Sequence, residues 1–434
     1  MTAIPPDTTG SPTEPDGAAA TRRPRGDFRR LWLATTASQL GTQVSELAIP
    51  LAAILLLHAG ALQVGLLATL GYLPLAIFGL PAGVWADRLP RRAIMLAADI
   101  MRAVVLATVP LAYLVGELHM AQLYVVTACV GALTVFFDVA YAAYVPSLAM
   151  RDELARANSR LQLSEQSAGV AGPGLAGWLI GAIGAPLAIS ADAVSYAISA
   201  AFVGGIRHRE VRVSAPTATR VHLRAQIVDG IREVASHRQL RAIAICAAVI
   251  NLFGRMMVIL VPLYLVRAAG YRPTAIGVVF TIGSVGFVVG AARADRVVER
   301  LGLGRAIVVG ASVATASLIL IAAPPAALAG PFVAAAMFVY GMGAVTFTVG
   351  NATLRQLTVA PDMLGRTGAT MRVLTWIAQP IAGVLAAWLG TVAGIHVALW
   401  VGAVGVLLAP VPLVRSGLAE QARATDRHAP MTSS

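Results

Sequence analysis

The chain has 434 residues, 57% of them apolar and only 12% charged, with a formal net charge of +12. A soluble protein carries about twice that share of charge, so a water-soluble globular enzyme is excluded. The positive charge comes from arginine without a single lysine. These arginines fall in short loops between apolar stretches, on alternate sides, instead of forming a patch, which argues against nucleic-acid binding.

Residues 1–27 are rich in Pro, Thr, Gly and Ala and read as a disordered tail, with no cleavable signal peptide before the first apolar stretch. From Leu31 to Val414 apolar stretches then recur, each near the roughly 20 residues that cross a bilayer. Spans are predicted at 31–57, 63–86, 93–115, 120–149, 157–183 and 186–206. A second set follows at 241–268, 273–293, 305–323, 330–357, 364–389 and 394–414. The domain plan is therefore a six-helix half at 28–206, a linker at 207–240, a second half at 241–415 and a tail at 416–434. Within the linker, Leu223, Ile227, Val228, Ile231 and Val234 share one helical face, which predicts an amphipathic helix lying on the membrane surface.

Orientation follows from the arginines. Arg88, Arg91 and Arg92, then Arg151 and Arg156, Arg207, Arg209 and Arg212, Arg296, Arg300 and Arg305, and Arg366 share one side; Arg267 and Arg272 are the basic exceptions on the other. The rich side is expected to be cytoplasmic, and an even number of spans puts both termini there. The halves also repeat: Ala86-Asp87-Arg88 recurs as Ala294-Asp295-Arg296, and Leu154-Ala-Arg156 as Leu364-Gly-Arg366. Parallel halves joined on one side are a transporter architecture that holds substrate near the midplane.

Ionisable groups inside spans are costly and point to function. In the first half these are Glu46, Asp99, Arg102, Asp138, Glu165 and Asp192; in the second, Arg255, Arg355 and Arg372. Gln39, Gln43 and Glu46 follow helical spacing beside Ser38, Thr42 and Ser45, so this face lines a cavity or another helix. A carboxyl group in a cavity there can exchange protons. Asp99 and Arg102, three residues apart, predict an internal ion pair near the cytoplasmic boundary. Asp138 either answers the loop arginines or carries a proton. Glu165 and Asp192 read as structural, and Asn251, Trp376 and Gln379 as cavity residues of the second half. Cys129 and Cys246 lie inside spans as small buried groups. His58, His119 and His396 are isolated at membrane edges, so no metal or other cofactor is expected, and the absence of a Walker loop argues against ATP hydrolysis.

The loop after the second span reads Gly83-Val-Trp-Ala-Asp87-Arg88-Leu-Pro-Arg91-Arg92. This G-x-x-x-D-R-x-x-R-R pattern, with its weaker second copy at Gly290–Arg296, resembles the major facilitator superfamily across almost all of residues 28–415. Phe137-Asp138, Glu153-Leu-Ala, Ala171-Gly-Pro-Gly, Leu354-Arg355-Gln356 and Ala369-Thr-Met-Arg372 look like its bacterial twelve-helix drug exporters, among them macrolide-efflux and enterobactin exporters. The resemblance implies an all-α membrane protein of two pseudo-symmetric six-helix halves in the bacterial plasma membrane. Gly83, Asp87, Arg88, Arg91 and Arg92 would form a cytoplasmic gate, with Asp87 facing the N-terminus of span eleven. Where the superfamily usually has a fourth-helix arginine, span four carries Asp138. The expected function is export of amphiphilic or hydrophobic molecules by proton antiport, with substrate, protons and lipid as partners and no obligate protein partner. A proton-coupled nutrient uptake permease and a non-transporting scaffold or sensor are the alternatives.

Overall fold

The structure, a computed structural model, describes residues 25–148, 153–208, 223–360 and 363–419, with the side chains of 25, 80, 81, 83–88, 155 and 223–229 outside that description. The predicted tails at 1–27 and 416–434, and the linker at 207–240, lie largely or partly beyond it.

The first half comprises α1 (Arg25–Leu55), α2 (Ala61–Arg88), α3 (Arg91–Leu114), α4 (Met120–Leu148), α5 (Leu154–Ile183) and α6 (Ala185–Gly204). A linker helix, α7 (Leu223–Ser236), follows. The second half begins with α8 (Arg238–Val249), a π-helical turn (Ile250–Gly254) and α9 (Arg255–Arg267), stacked as one rod. Then come α10 (Pro273–Leu301), α11 (Leu303–Ser317) with the short α12 (Ile319–Ala322), α13 (Ala329–Thr358), α14 (Leu364–Val392), and α15 (Ile395–Leu407) with α16 (Val411–Arg415). Among the described residues the chain is all-α. Backbone groups bonded within each helix are what a bilayer core demands.

Among the described residues, ten rods are long and apolar enough to cross a membrane. The other two, α1 and α5, have 31 and 30 residues and pack inside the bundle, but they carry the polar faces. The arginine end of α5 explains why. Ala157, Leu161, Ser164 and Ala168 form its buried stripe, while Asn158, Arg160, Gln162, Glu165, Gln166 and Ser167 are exposed. Such groups cannot face hydrocarbon, so they border a watery space at that end.

The halves meet along two seams, α2 on α14 and α5 on α10. Both seams tighten toward the end away from the arginines. A Cβ added at Gly65 would lie 2.5 Å from the Ala387 nitrogen, and one at Gly277 2.6 Å from the Pro173 carbonyl oxygen. Small residues let membrane helices approach this closely. At the same end, Arg267 donates a 2.6 Å hydrogen bond to the His58 carbonyl across the halves.

The linker helix does more than lie on a surface. Gly230 abuts Arg366 and Thr370 of α14, and Val234 is buried in a cluster with Leu240, Val359 and Met371. Ile231 remains 52% exposed, so only part of the predicted apolar face is docked; the side chains of Leu223, Ile227 and Val228 lie outside the described residues.

Candidate functional site

A cavity of about 440 Å³ opens between the halves, set mostly in the first. That is within the size of small-molecule sites, which combine apolar walls with a few placed polar groups. Val64, Leu67, Val130, Val258, Ile259 and Phe280 supply apolar wall. Glu46 and Gln43 of α1, Tyr72 of α2, Asp138 of α4 and Arg255 of α9 supply the polar groups. Glu46 and Asp138 are exposed despite lying in the middle of their helices, because the cavity is what they are exposed to.

Glu46 and Arg255 face one another from opposite halves, close enough to interact electrostatically. The Arg255 guanidinium sits 5.1 Å from the centre of the Tyr72 ring, a cation–π contact that also crosses between halves. Arg255 directly follows the π turn at Ile250–Gly254, an irregularity that often marks functional sites. Asn251 lies in the turn, and its side chain donates a 2.9 Å hydrogen bond to the Ala247 carbonyl of its own rod.

Of the six residues expected in the cavity, Glu46, Gln43 and Asp138 are on its wall. Asn251, Trp376 and Gln379 are outside it. Trp376 instead packs over Gly79 at the α2–α14 seam, its ring 3.3 Å from where a Cβ would be. Tyr72, Arg255, Asp192 and Tyr196 line the wall beyond that set. Arg255 was signalled by its charge within a span, while nothing in the sequence distinguishes Tyr72 and Tyr196 from aromatic packing residues.

Behind the wall lies a buried polar stratum. Asp99 pairs with Arg102 and both are shielded from solvent, at 0% and 3% side-chain exposure. Ser199 donates to Asp99 at 2.7 Å, and Arg102 reaches Thr134 at 3.3 Å. The same guanidinium stacks 4.1 Å from the Tyr196 ring centre and 4.5 Å from that of Phe137. The Tyr196 hydroxyl in turn meets Thr42 at 2.9 Å. Asp192 is buried beside Ser45 and accepts a 3.0 Å hydrogen bond from Ser195. Thus α1, α3, α4 and α6 are joined by polar contacts, as lipid requires of buried charges.

In the expected gate, the side chains of Gly83, Asp87 and Arg88 lie outside the described residues. Arg91 donates to the Ala143 carbonyl at 3.1 Å, and Arg92 to the carbonyls of Val203 and Gly204. Both thereby meet the C-terminal ends of neighbouring helices, where cations are favoured. Arg30 adds a 2.6 Å bond to Gly205, and Asp27 accepts from the Arg207 amide at 3.2 Å.

Two matched bundles of membrane-crossing helices, closed on each other at one end around a small-molecule cavity, define a membrane transporter. The chain belongs to the major facilitator superfamily, whose sequence profile matches residues 31–380. It is 28% identical over 386 residues to the "Multidrug efflux pump Tap" of Mycolicibacterium fortuitum, covering 87% of this chain and 92% of that protein. The fold overlays on a bacterial homologue of the iron transporter ferroportin in its inward-facing state with a TM-score of 0.73 at 18% identity, covering 90% of this chain and 98% of the other. Against the outward-facing state the TM-score is 0.59 at 19% identity, covering 90% and 99%.

Proposed function

We propose that this multi-pass membrane transporter is a secondary active exporter of amphiphilic or hydrophobic small molecules, working by alternating access and driven by proton antiport. The observation that carries the proposal is the cavity, where mostly apolar walls hold Glu46 of the first half within electrostatic reach of Arg255 of the second. The kinship to a protein named as a multidrug efflux pump supports drug-like cargo. The arginine distribution supports a bacterial plasma-membrane location with the arginine end and both termini in the cytoplasm. In that orientation the glycine seams close the outer side, and the polar face of α5 borders an inner vestibule through which cargo enters.

Glu46 serves as the proton-linked charge, with Gln43 and Asp138 on the same wall; Asn251, Trp376 and Gln379 join from the second half as the bundle changes state. The bodies at 28–206 and 241–415 rock against one another while the linker at 207–240 follows. Gly83, Asp87, Arg88, Arg91 and Arg92 form the inner gate. The carbonyl bonds of Arg91 and Arg92 support it by fixing one side of the gate to the first half.

The test uses the protein reconstituted in vesicles, a fluorescent amphiphile and an imposed pH step. The native protein should accelerate movement of the amphiphile against the proton gradient. Glu46→Gln, which keeps shape, should still bind the amphiphile yet lose the acceleration. Native transport indifferent to the pH step would sink proton antiport. Full gradient-driven transport by the variant would remove Glu46 from the mechanism and leave Asp138 as the carboxylate to test.

A further inference from the structure

A second concavity lies between the arginine ends of α8 and α16, apart from the central cavity. It holds about 170 Å³ and brings Arg238, Arg241 and Arg415 together with Ala242, Ile245 and Pro412. Two of its guanidinium groups are anchored by main chain. Arg238 donates to the Arg415 carbonyl, tying α8 to α16, and Arg241 donates at 3.0 Å to the Ala235 carbonyl near the end of α7. Each anchor uses part of a five-donor fork and leaves the remaining N–H groups available. Among the described residues, no carboxylate forms an ion pair with any of the three arginines.

The surface next to them changes character along the rods. Ile245 is 45% exposed on α8, Val414 60% on α16 and Leu408 61% just before it. Exposed aliphatic side chains on membrane-crossing rods lie against acyl chains, so the arginines above them stand at headgroup level. An arginine that only fixes topology needs neither a concavity nor a carbonyl anchor. We infer that this concavity is a phosphate-binding site for an anionic phospholipid, the three guanidinium forks holding the headgroup phosphate and the acyl chains running along Ile245 and Val414. Arg–phosphate contacts are charge-assisted and often bidentate, and basic pockets between membrane helices suit such headgroups. A bound lipid would hold the start of the same rod that, further along, makes the π turn and presents Arg255.

The experiment measures lipid retention by native mass spectrometry and thermal stability of the full chain in a neutral detergent. Phosphatidylglycerol, phosphatidylcholine and inorganic phosphate are the three additions. Phosphatidylglycerol should be retained and raise the unfolding midpoint, and phosphatidylcholine should not. Arg241→Gln with Arg415→Gln leaves the Arg238 tie in place and should weaken phosphatidylglycerol binding roughly 25-fold, at about fivefold per arginine near an anionic surface. Arg415→Gln alone, whose side chain is exposed, should cost about fivefold and carries the test if the double variant does not fold. As a control, Arg232→Gln with Arg300→Gln removes two exposed arginines outside the concavity and should change little. Unchanged phosphatidylglycerol affinity in the Arg241 and Arg415 variants overturns the site. Equal loss in the control overturns it too, since the effect would then be general charge. Protection by inorganic phosphate as strong as by phosphatidylglycerol would keep the phosphate chemistry and overturn the lipid as its source.

Discussion

The two halves share a plan but differ in what holds them together. In the first, α3, α4 and α6 converge on the Asp99–Arg102 pair, which Ser199, Thr134 and the Tyr196 and Phe137 rings enclose. In the second, helices touch main chain to main chain. A Cβ at Gly286 would lie 2.1 Å from the Phe338 carbonyl oxygen, and one at Gly310 2.9 Å from that of Gly343. Lipid gives helices no hydrophobic reason to associate, so they rely on hydrogen bonds or on close packing. The second half leans on packing at these points. The first adds a buried polar cluster to its own close approach, where a Cβ at Gly131 would lie 2.6 Å from the Gly71 carbonyl oxygen. The polar half has charge to spare for the cavity wall, whereas the close-packed half contributes a single cavity cation, Arg255.

That contrast can be broken at its strongest point first. Asp99→Ala leaves Arg102 buried without its partner, a loss of about 3–5 kcal/mol for buried pairs. Fluorescence-detected gel filtration after heating should show little monodisperse protein. Arg255→Leu, by comparison, should melt near the native temperature, because its guanidinium faces the cavity and not the bundle core. In the second half, Gly286→Val drives side-chain atoms into the Phe338 backbone, with a cost of about 1–3 kcal/mol or more. A native midpoint for that variant would mean α10 and α13 are not in close contact. Gly204→Ala in the first half is the counterpart, since its Cβ would meet nothing nearer than 3.9 Å, and it should be tolerated.

A change between the halves should act on conformation more than on folding. Gly177→Ala places its Cβ 2.7 Å from the Gly277 Cα, wedging the α5–α10 seam. Spin labels on the α1–α2 and α9–α10 loops should report a larger separation, and an unchanged distance distribution would refute the wedge. The smallest effect belongs to Thr42→Val, which removes the 2.9 Å contact to the Tyr196 hydroxyl. One hydrogen bond is worth about 1 kcal/mol, readable as a modest drop in the unfolding midpoint.

Much of the architecture was legible because membrane spanning imposes long apolar runs, and because the Asp-Arg and Gly-Arg echoes reveal the repeat. The polar face of α1 was legible for the opposite reason: a polar stripe in a span must face something other than lipid, as Glu46 does. The exposed face of α5 was not, and Glu165, which read as structural, stands on it. The Asp99–Arg102 pair was readable from helical spacing, but not its depth. Asp99 stands roughly two turns inside α3, well within the span and not at its edge. Its partners Ser199 and Tyr196 come from α6, a non-local pairing that no local pattern encodes. The same holds for the approach of Tyr72 to Arg255. No local pattern tells that Asn251 bonds back to the Ala247 carbonyl of its own rod in this state, or that Trp376 packs over Gly79 across the seam.

The seams have a mechanical consequence. Surfaces joined by interlocked side chains move in notches, since each step must reset rotamers and lift ridges out of grooves. Where Gly65 meets Ala387 and Gly177 meets Gly277, there are almost no teeth to disengage. The contact can act as a smooth fulcrum, set close to one face of the membrane so that the long arm of each rod lies on the other side. A tilt of about 10° over an arm of about 30 Å, some 20 helical residues, swings the far end by about 5 Å. Small rotations at the narrow end are thereby geared into wide displacements at the broad one.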